Sequence, residues 1–291
     1  MSRRIRQTAL THGPIRYIDE GDGPVVLLLH GLGGNWQNWQ ANIAALARRY
    51  RVIAPDLPGF GGSAPYPDSV SMTRYAGTMI ELLDALAIES ATFVGNSMGG
   101  LLSIEAAVRH RDRVTALLLV CSGGIPLTTI RHRAVLLPGG LALNTMLRHN
   151  RIRRAALARP AVRHAIAARI VHQPQRIDSG HLVDALDGLG AGAFSAVLRA
   201  GLRYDARPHA PKVKCPTLIL WGRHDRLLPL SMGEQLHRLI ENSDFEVWDD
   251  AGHCPMIEQP QRFNELVAAF AGRHGHHTFG RSDGEAPSSG G

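Results

Sequence analysis

Three side chains in this sequence have the types and the order of a nucleophile, an acid and a base. Ser97 lies in the motif GNSMG, Asp225 follows WGRH, and His253 follows AG. A serine hydroxyl is a weak nucleophile unless a histidine accepts its proton, and a carboxylate orients that histidine. The chain order serine, aspartate, histidine therefore predicts nucleophilic catalysis at Ser97.

Two glycines, Gly95 and Gly99, flank Ser97 at the spacing of a sharp turn between a strand and a helix. Such a turn crowds the residues two before and two after its centre, and it strains the backbone of the central residue. The turn lifts the hydroxyl above the sheet edge, where the N-terminal end of the next helix favours negative charge. We therefore interpret Ser97 as the nucleophile.

An oxyanion formed at Ser97 needs two N–H donors. The backbone of Met98, directly after the serine, is the first predicted donor. The second is predicted in the glycine-rich stretch HGLGG at residues 30–34, with Leu32 as the donor. We interpret His30 and Gly31 as the scaffold of that loop and assign His30 no catalytic role.

Other residues near the predicted site fit these roles less well. Asp249 and Asp250 lie too close in sequence to His253, and His224 precedes the carboxylate. Cys254 does not occupy the turn that a nucleophile requires, so we interpret it as a small packing residue. The three cysteines are too scattered for a disulfide framework or a Cys-x-x-Cys metal site.

The elements that must position these residues alternate between strand-like and helical patterns. Strands are predicted at 15–21, 25–30, 51–57, 91–95, 114–122, 217–222 and 244–248, with helices between them and Ser71 as a helix cap. Buried apolar strands alternating with helices predict a doubly wound, mainly parallel sheet. The predicted nucleophile, acid and base all follow strands, so they meet at one edge of it.

This alternation stops after residue 122. No strand-like run occurs between 123 and 210, where short alanine- and arginine-rich helical segments are broken by prolines. We expect a core formed by 1–122 and 211–274, with 123–210 as a helical lid inserted between two strands. The polar, glycine-rich tail at 275–291 is predicted to be disordered.

Positive charge is concentrated in the predicted lid. The whole chain has a net charge of +7, and residues 123–210 contain thirteen arginines and four aspartates. Three interpretations stay open: a solvated face over an apolar pocket, contact with an anionic membrane or an acyl carrier, or an arginine that binds a substrate carboxylate. Aromatic residues are sparse and no recognition motif occurs, so nucleic-acid binding is not expected.

The apolar runs are too short for a membrane span, and the basic N-terminus leads into no apolar signal-peptide core. We expect a cytoplasmic location, or a peripheral one at a membrane surface. The sequence predicts no oligomeric state.

Five segments together resemble the serine branch of the α/β-hydrolase superfamily. They are HG at 30–31, DLPGFGGS at 56–63, GNSMGG at 95–100, LILWGRHD at 218–225 and AGHCPMIEQP at 251–260, within a match over residues 13–274. The resemblance implies an eight-stranded core, a triad of Ser97, Asp225 and His253, and no metal or organic cofactor. The expected activity is hydrolysis of small-molecule or lipid carboxylic esters through an acyl-enzyme.

Other activities on the same fold stay open. The stretch VGNSMGG is similar to meta-cleavage-product hydrolases, which cut carbon–carbon bonds in dienoic diketo acids, and cofactor-free haloperoxidases have the motif as well. Ser97 argues against epoxide hydrolases and haloalkane dehalogenases, which resemble this chain but use aspartate there. A non-catalytic ligand receptor would be expected to have lost a triad residue, and this sequence has all three.

Overall fold

The structure is a computed structural model that describes residues 5–126, 141–142 and 144–274. The tail predicted to be disordered, 275–291, lies outside the described residues, and so do residues 127–140 of the predicted lid.

Eight strands form a single sheet in the order β1-β2-β4-β3-β5-β6-β7-β8. β2 pairs antiparallel with β1 and β4, and all other neighbours are parallel. This confirms the predicted mostly parallel, eight-stranded α/β sheet. The strands are β1 Ile5–Leu10, β2 Gly13–Glu20, β3 Val25–Leu29, β4 Arg51–Pro55, β5 Ala91–Asn96, β6 Val114–Val120, β7 Thr217–Gly222 and β8 Ser243–Trp248.

The sequence patterns did not predict β1. Among the described strands β1 lies at one edge of the sheet and pairs with β2 alone, and its residues are exposed or half-buried. An exposed edge strand needs neither an apolar run nor a clear alternation. No periodic signal therefore marked it.

Residues 141–142 and 144–147 are helical, and ten further α-helices lie within the described residues. They are α1 Gln40–Leu46, α2 Met72–Ala85, α3 Met98–Arg109, α4 Asn150–Ala158, α5 Pro160–Ala167, α6 Ser179–Leu186, α7 Phe194–Arg203, α8 Leu230–Leu239, α9 Pro255–Glu258 and α10 Pro260–His274. The Ser71 side chain accepts a hydrogen bond from the Arg74 N–H, as predicted for the cap of α2. No helix in the described ranges has both the length and the apolarity to cross a bilayer.

Both faces of the sheet are buried, which explains why its strands are continuous apolar runs. In β3, Leu27 and Leu29 pack into one core cluster, while Val26 and Leu28 pack into the other. The first cluster includes α2, α3 and α8, and the second includes α1 and α10. Helices on both sides thus fix the strands whose carboxyl ends position the site.

The chain leaves the sheet after β6 and returns to it at the neighbouring strand β7. Its described residues between 141 and 212, here called the inserted helices, contain helices and turns and no strand. Leu157, Ala167, Val171 and Leu182 from this segment pack in the same core cluster as Met256. The inserted helices are therefore seated on the loop that follows β8.

Candidate active site

Ser97 is the residue at which β5 ends and α3 begins. Its backbone has φ 55° and ψ −112°, a positive φ that a residue with a side chain rarely adopts. The Ser97 N–H donates to Val120 O at 2.9 Å, and Ser97 O accepts from the Gly123 N–H at 2.8 Å. These bonds to the last residue of β6 and to the loop that follows it hold the strained residue in place.

The glycines around Ser97 allow the backbone segments of the turn to approach each other closely. A Cβ on Gly95 would overlap the backbone of Gly99, and a Cβ on Gly99 would overlap the carbonyl group of Leu29. A rigid backbone cannot move aside as a flexible side chain could. The structure thus gives the steric reason for a glycine at each of the two positions.

His253 and Asp225 are hydrogen-bonded to each other. His253 Nδ1 lies 2.7 Å from Asp225 Oδ2, and both side chains are at least 95% buried. Asp225 Oδ1 accepts from the N–H groups of Leu227 and Leu228 at 2.8 and 2.9 Å, so this oxygen is already used by the backbone. With its Nδ1–H donated to the carboxylate, the neutral His253 has its lone pair on Nε2.

The glycine-rich loop at residues 30–34 lies beside Ser97. A Cβ on Gly31 would be only 3.1 Å from the Ser97 Cβ, so this backbone runs next to the hydroxyl. His30 is fully buried: its Nε2 accepts from the Leu57 N–H at 2.9 Å, which leaves its Nδ1–H to donate to Gly31 O at 2.7 Å. Burial lowers the pKa of His30, which keeps the ring neutral. His30 thus binds the loop from within, as a scaffold does.

The two N–H groups predicted to bind an oxyanion lie close to Ser97. Met98 is the first residue of α3, where an N–H has no partner within the helix, and Leu32 lies in the glycine-rich loop. Among the described residues, no hydrogen bond takes up either N–H.

A cavity of about 1080 Å³ opens above these residues. Ser97, His253, Leu32 and Cys254 line its floor, and apolar side chains of the inserted helices line much of the rest. The lining also includes two arginines, Arg169 and Arg226, both exposed. No hydrogen bond joins Ser97 to His253 in the part of the chain that the structure describes.

A model of the alpha/beta hydrolase family matches residues 26–266, a range that includes all three predicted triad residues. The chain belongs to the α/β-hydrolase family.

This α/β hydrolase is similar to proteins of more than one activity. It is 31% identical to 2-hydroxy-6-oxo-2,4-heptadienoate hydrolase of Pseudomonas putida, over 87% of this chain and 90% of the relative. It is 28% identical to pimeloyl acyl-carrier-protein methyl ester esterase of Vibrio vulnificus, over 87% of this chain and 96% of the relative. The solved structure of a thermophilic esterase from Thermogutta terrifontis has a TM-score of 0.72 at 28% identity, covering 95% of this chain and 100% of that one.

Cys121 of the α/β hydrolase also lies at the site, which sequence reasoning missed. Its Sγ accepts a hydrogen bond from the Gly222 N–H at 3.4 Å. The Sγ of Cys121, a carboxylate oxygen of Asp225 and a ring nitrogen of His253 also lie within 4.8 Å of one another, as the ligands of a metal ion would. Burial raises the pKa of the Cys121 thiol well above its ordinary value, and a protonated thiol is a poor metal ligand. Asp225 and His253 already bind each other, so we interpret the group as a hydrogen-bonded cluster. Burial likewise raises the pKa of Cys254, which fits its predicted packing role.

Two further residues of the α/β hydrolase position His253. The Asn96 amide donates to His253 O at 2.9 Å, which ties His253 to the strand that ends next to Ser97. The Glu258 carboxylate accepts from the Gly252 N–H at 2.8 Å and from the His172 N–H at 2.6 Å. The His253 N–H itself donates to Ile170 O at 2.8 Å. No sequence signal identified these contacts, because all of them except the bond from Gly252 to Glu258 join segments that are far apart along the chain.

Replacing Glu258 by alanine is expected to destabilise the α/β hydrolase by about 1–3 kcal/mol, because the N–H groups of Gly252 and His172 lose their acceptor. Glu258→Gln keeps one acceptor oxygen, so its loss should be smaller. Urea unfolding measures both. The control is Glu265→Ala, an exposed α10 residue without an ion pair in the described chain; equal midpoints for Glu258→Ala and this control would contradict the assigned role.

Proposed function

We propose that this protein is a serine hydrolase of carboxylic esters that works through an acyl-enzyme. One observation carries the proposal: strained Ser97 shares an apolar cavity with His253, whose Nδ1 is bonded to buried Asp225. A positioned base and an oriented carboxylate are what a serine hydroxyl needs to become nucleophilic.

In the first half of the proposed reaction, Ser97 Oγ attacks the ester carbonyl carbon and its proton passes to His253 Nε2. Oγ and Nε2 must come within hydrogen-bond reach for this step, and such contacts often tighten only when substrate binds. The carbonyl oxygen becomes an oxyanion, which accepts hydrogen bonds from the N–H groups of Met98 and Leu32. His253 then returns its proton to the leaving alkoxide, and the alcohol departs.

In the second half, a water molecule attacks the acyl carbon while His253 Nε2 takes its proton. The tetrahedral oxyanion is stabilised by the same two N–H groups. As it collapses, Ser97 Oγ leaves and regains a proton from His253, so the carboxylic acid is released and the resting state returns. Asp225 stays ionised throughout and stabilises the imidazolium form of His253.

The cavity lining supports an ester with an apolar acyl or alcohol portion. Apolar residues of α5, α6 and α7 face the space above Ser97, and they include Ile166, Leu186 and Leu198. Burial of apolar substrate surface there contributes roughly 25 cal/mol per Å². Longer esters should therefore bind better than acetates until the cavity is filled.

Arg169 supports a second candidate, hydrolysis of a carbon–carbon bond in a dienoic keto acid. This arginine lines the same cavity as Ser97 and has no carboxylate partner among the described residues. A guanidinium in that position suits a substrate carboxylate. The similarity to the Pseudomonas putida hydrolase points in the same direction.

Turnover of a series of p-nitrophenyl esters and of one 2-hydroxy-6-oxo-dienoate tests the two candidates. We expect ester hydrolysis with kcat/KM rising with acyl length, and labelling by a fluorophosphonate that is lost in Ser97→Ala. Turnover of the dienoate alone, reduced in Arg169→Gln, would instead establish the second candidate. Absence of both labelling and turnover would overturn both.

A further inference from the structure

The inserted helices carry a set of arginines that the described structure leaves without acidic partners. We call them the arginine surface: Arg148, Arg151, Arg154, Arg159 and Arg169. All five are exposed, and none lies within ion-pair distance of a carboxylate in the described ranges. Arg153, by contrast, pairs with Asp187 at 3.0 Å. A protein that needed these charges only for its own stability would be expected to pair more of them.

Exposed apolar side chains lie among these arginines. The described part of the chain has three exposed large hydrophobic residues, and two of them, Met146 at 47% and Ile152 at 45%, lie in this short stretch. Ile152 directly follows Arg151 in α4, and Arg154 comes two positions later, after the paired Arg153. An exposed apolar side chain flanked by unpaired cations is unfavourable in water, but it matches the boundary between lipid headgroups and acyl chains.

The same stretch forms part of the rim of the cavity. Met146, Ala161, Ala165 and Arg169 line the cavity and are also exposed, so its opening lies beside the arginine surface. An apolar molecule that enters or leaves the cavity here passes close to these cations.

The positive charge of the protein is concentrated in the inserted helices. Residues 141–212 contain eleven arginines, one lysine and four aspartates, a net charge of +8; since the whole chain carries +7, the remaining residues sum to −1. An anionic surface therefore attracts the inserted helices and not the rest of the protein. The attraction also sets an orientation.

We propose that the arginine surface, with Met146 and Ile152, docks on an anionic lipid bilayer and presents the cavity opening to it. Arginine guanidinium groups bind the lipid phosphates, and the two apolar side chains enter the headgroup region. The inference deepens the proposed ester hydrolysis and rests on it for the substrate, an apolar ester supplied from the membrane. The docking itself requires no turnover.

A bilayer fits these observations better than an acidic carrier protein. Arginines alone would suit either partner, since both are anionic. Exposed Met146 and Ile152 need an apolar environment into which they can insert, and a bilayer supplies one at every point of its surface.

Co-sedimentation with vesicles tests the proposal on the full-length protein. The probes are vesicles of phosphatidylcholine alone and vesicles of equal parts phosphatidylcholine and phosphatidylglycerol. We expect binding only to the anionic vesicles, weakened by high salt. The variant Arg151→Gln/Arg154→Gln should bind about 25-fold more weakly, from about fivefold per arginine, and Ile152→Ser should also bind more weakly.

The matched control is Arg48→Gln/Arg49→Gln, which removes two exposed arginines that follow α1 and have no carboxylate partner among the described residues. It lowers the net charge equally but lies outside the arginine surface. Three outcomes would overturn the proposal: no binding of the wild-type protein to anionic vesicles, equal losses in the two double variants, or capture by an acidic acyl carrier protein without vesicle binding. Hydrolysis of a water-soluble ester, measured in parallel, shows separately whether the proposed function holds.

Discussion

Ser97→Ala is expected to lower kcat for every ester substrate by at least about a thousandfold. The alanine cannot form the acyl-enzyme, and the remaining groups can only orient water and bind the oxyanion. His253→Ala should cause a loss of similar size, because Ser97 then has no base to accept its proton. The double variant Ser97→Ala/His253→Ala should be at most a few-fold slower than either single variant, because the two residues act in the same step.

Steady-state kinetics of the three variants measures these losses, and thermal unfolding shows whether the fold is intact. Alanine has a Cβ as serine does, so the backbone strain at position 97 is unchanged. The Ser97 hydroxyl makes no hydrogen bond among the described residues, so Ser97→Ala should be about as stable as the wild-type protein. The control is Ser231→Ala, an exposed serine in α8, which should keep full activity. A Ser97→Ala protein that retains a tenth of the wild-type kcat would rule out the acyl-enzyme mechanism.

Gly99→Ala is expected to have the largest effect on stability. A methyl group at this position would overlap the carbonyl group of Leu29, which is fixed in the centre of the sheet. Strand β3 and helix α3 must then separate, at a cost of about 3 kcal/mol or more. We expect a clearly lower urea midpoint, or insoluble protein, together with loss of activity because Ser97 is displaced.

Gly77→Ala is the control for that substitution. Gly77 lies inside α2, and a Cβ there would meet no atom within 4 Å. The same chemical change should therefore stabilise the protein by about 0.5–1 kcal/mol through helix propensity. Unchanged urea midpoints for Gly99→Ala would contradict the assigned role of this close approach.

Much of the fold could be predicted because the buried strands carry their own signal. β3, β5 and β6 are continuous apolar runs, since helices cover both faces of the sheet. The turn at Ser97 could be predicted as well, because its glycines are required by contacts within a few residues and with the adjacent strand.

The contacts that position His253 could not be predicted in the same way. Glu258 bonds to Gly252 nearby but also to His172, 86 positions earlier in the chain. Nothing in the composition of either segment indicates that the two meet, because the meeting depends on how the inserted helices are seated on the sheet. For the same reason, sequence patterns predicted that residues 123–210 are helical but not which of their side chains line the cavity.

The hydrogen bonds that join Ile170 and His172 to the segment of His253 and Glu258 couple the position of His253 to the inserted helices. Any movement that lifts residues 170–172 to widen the cavity breaks the His253–Ile170 bond and removes one of the two N–H donors to Glu258. Such a movement would therefore remove contacts that hold the backbone next to His253, the proposed proton acceptor. His253 would then be aligned for proton transfer only while residues 170–172 stay in contact with this loop. The proposed acyl-enzyme would therefore react while the cavity is closed and shielded from other nucleophiles in the solvent.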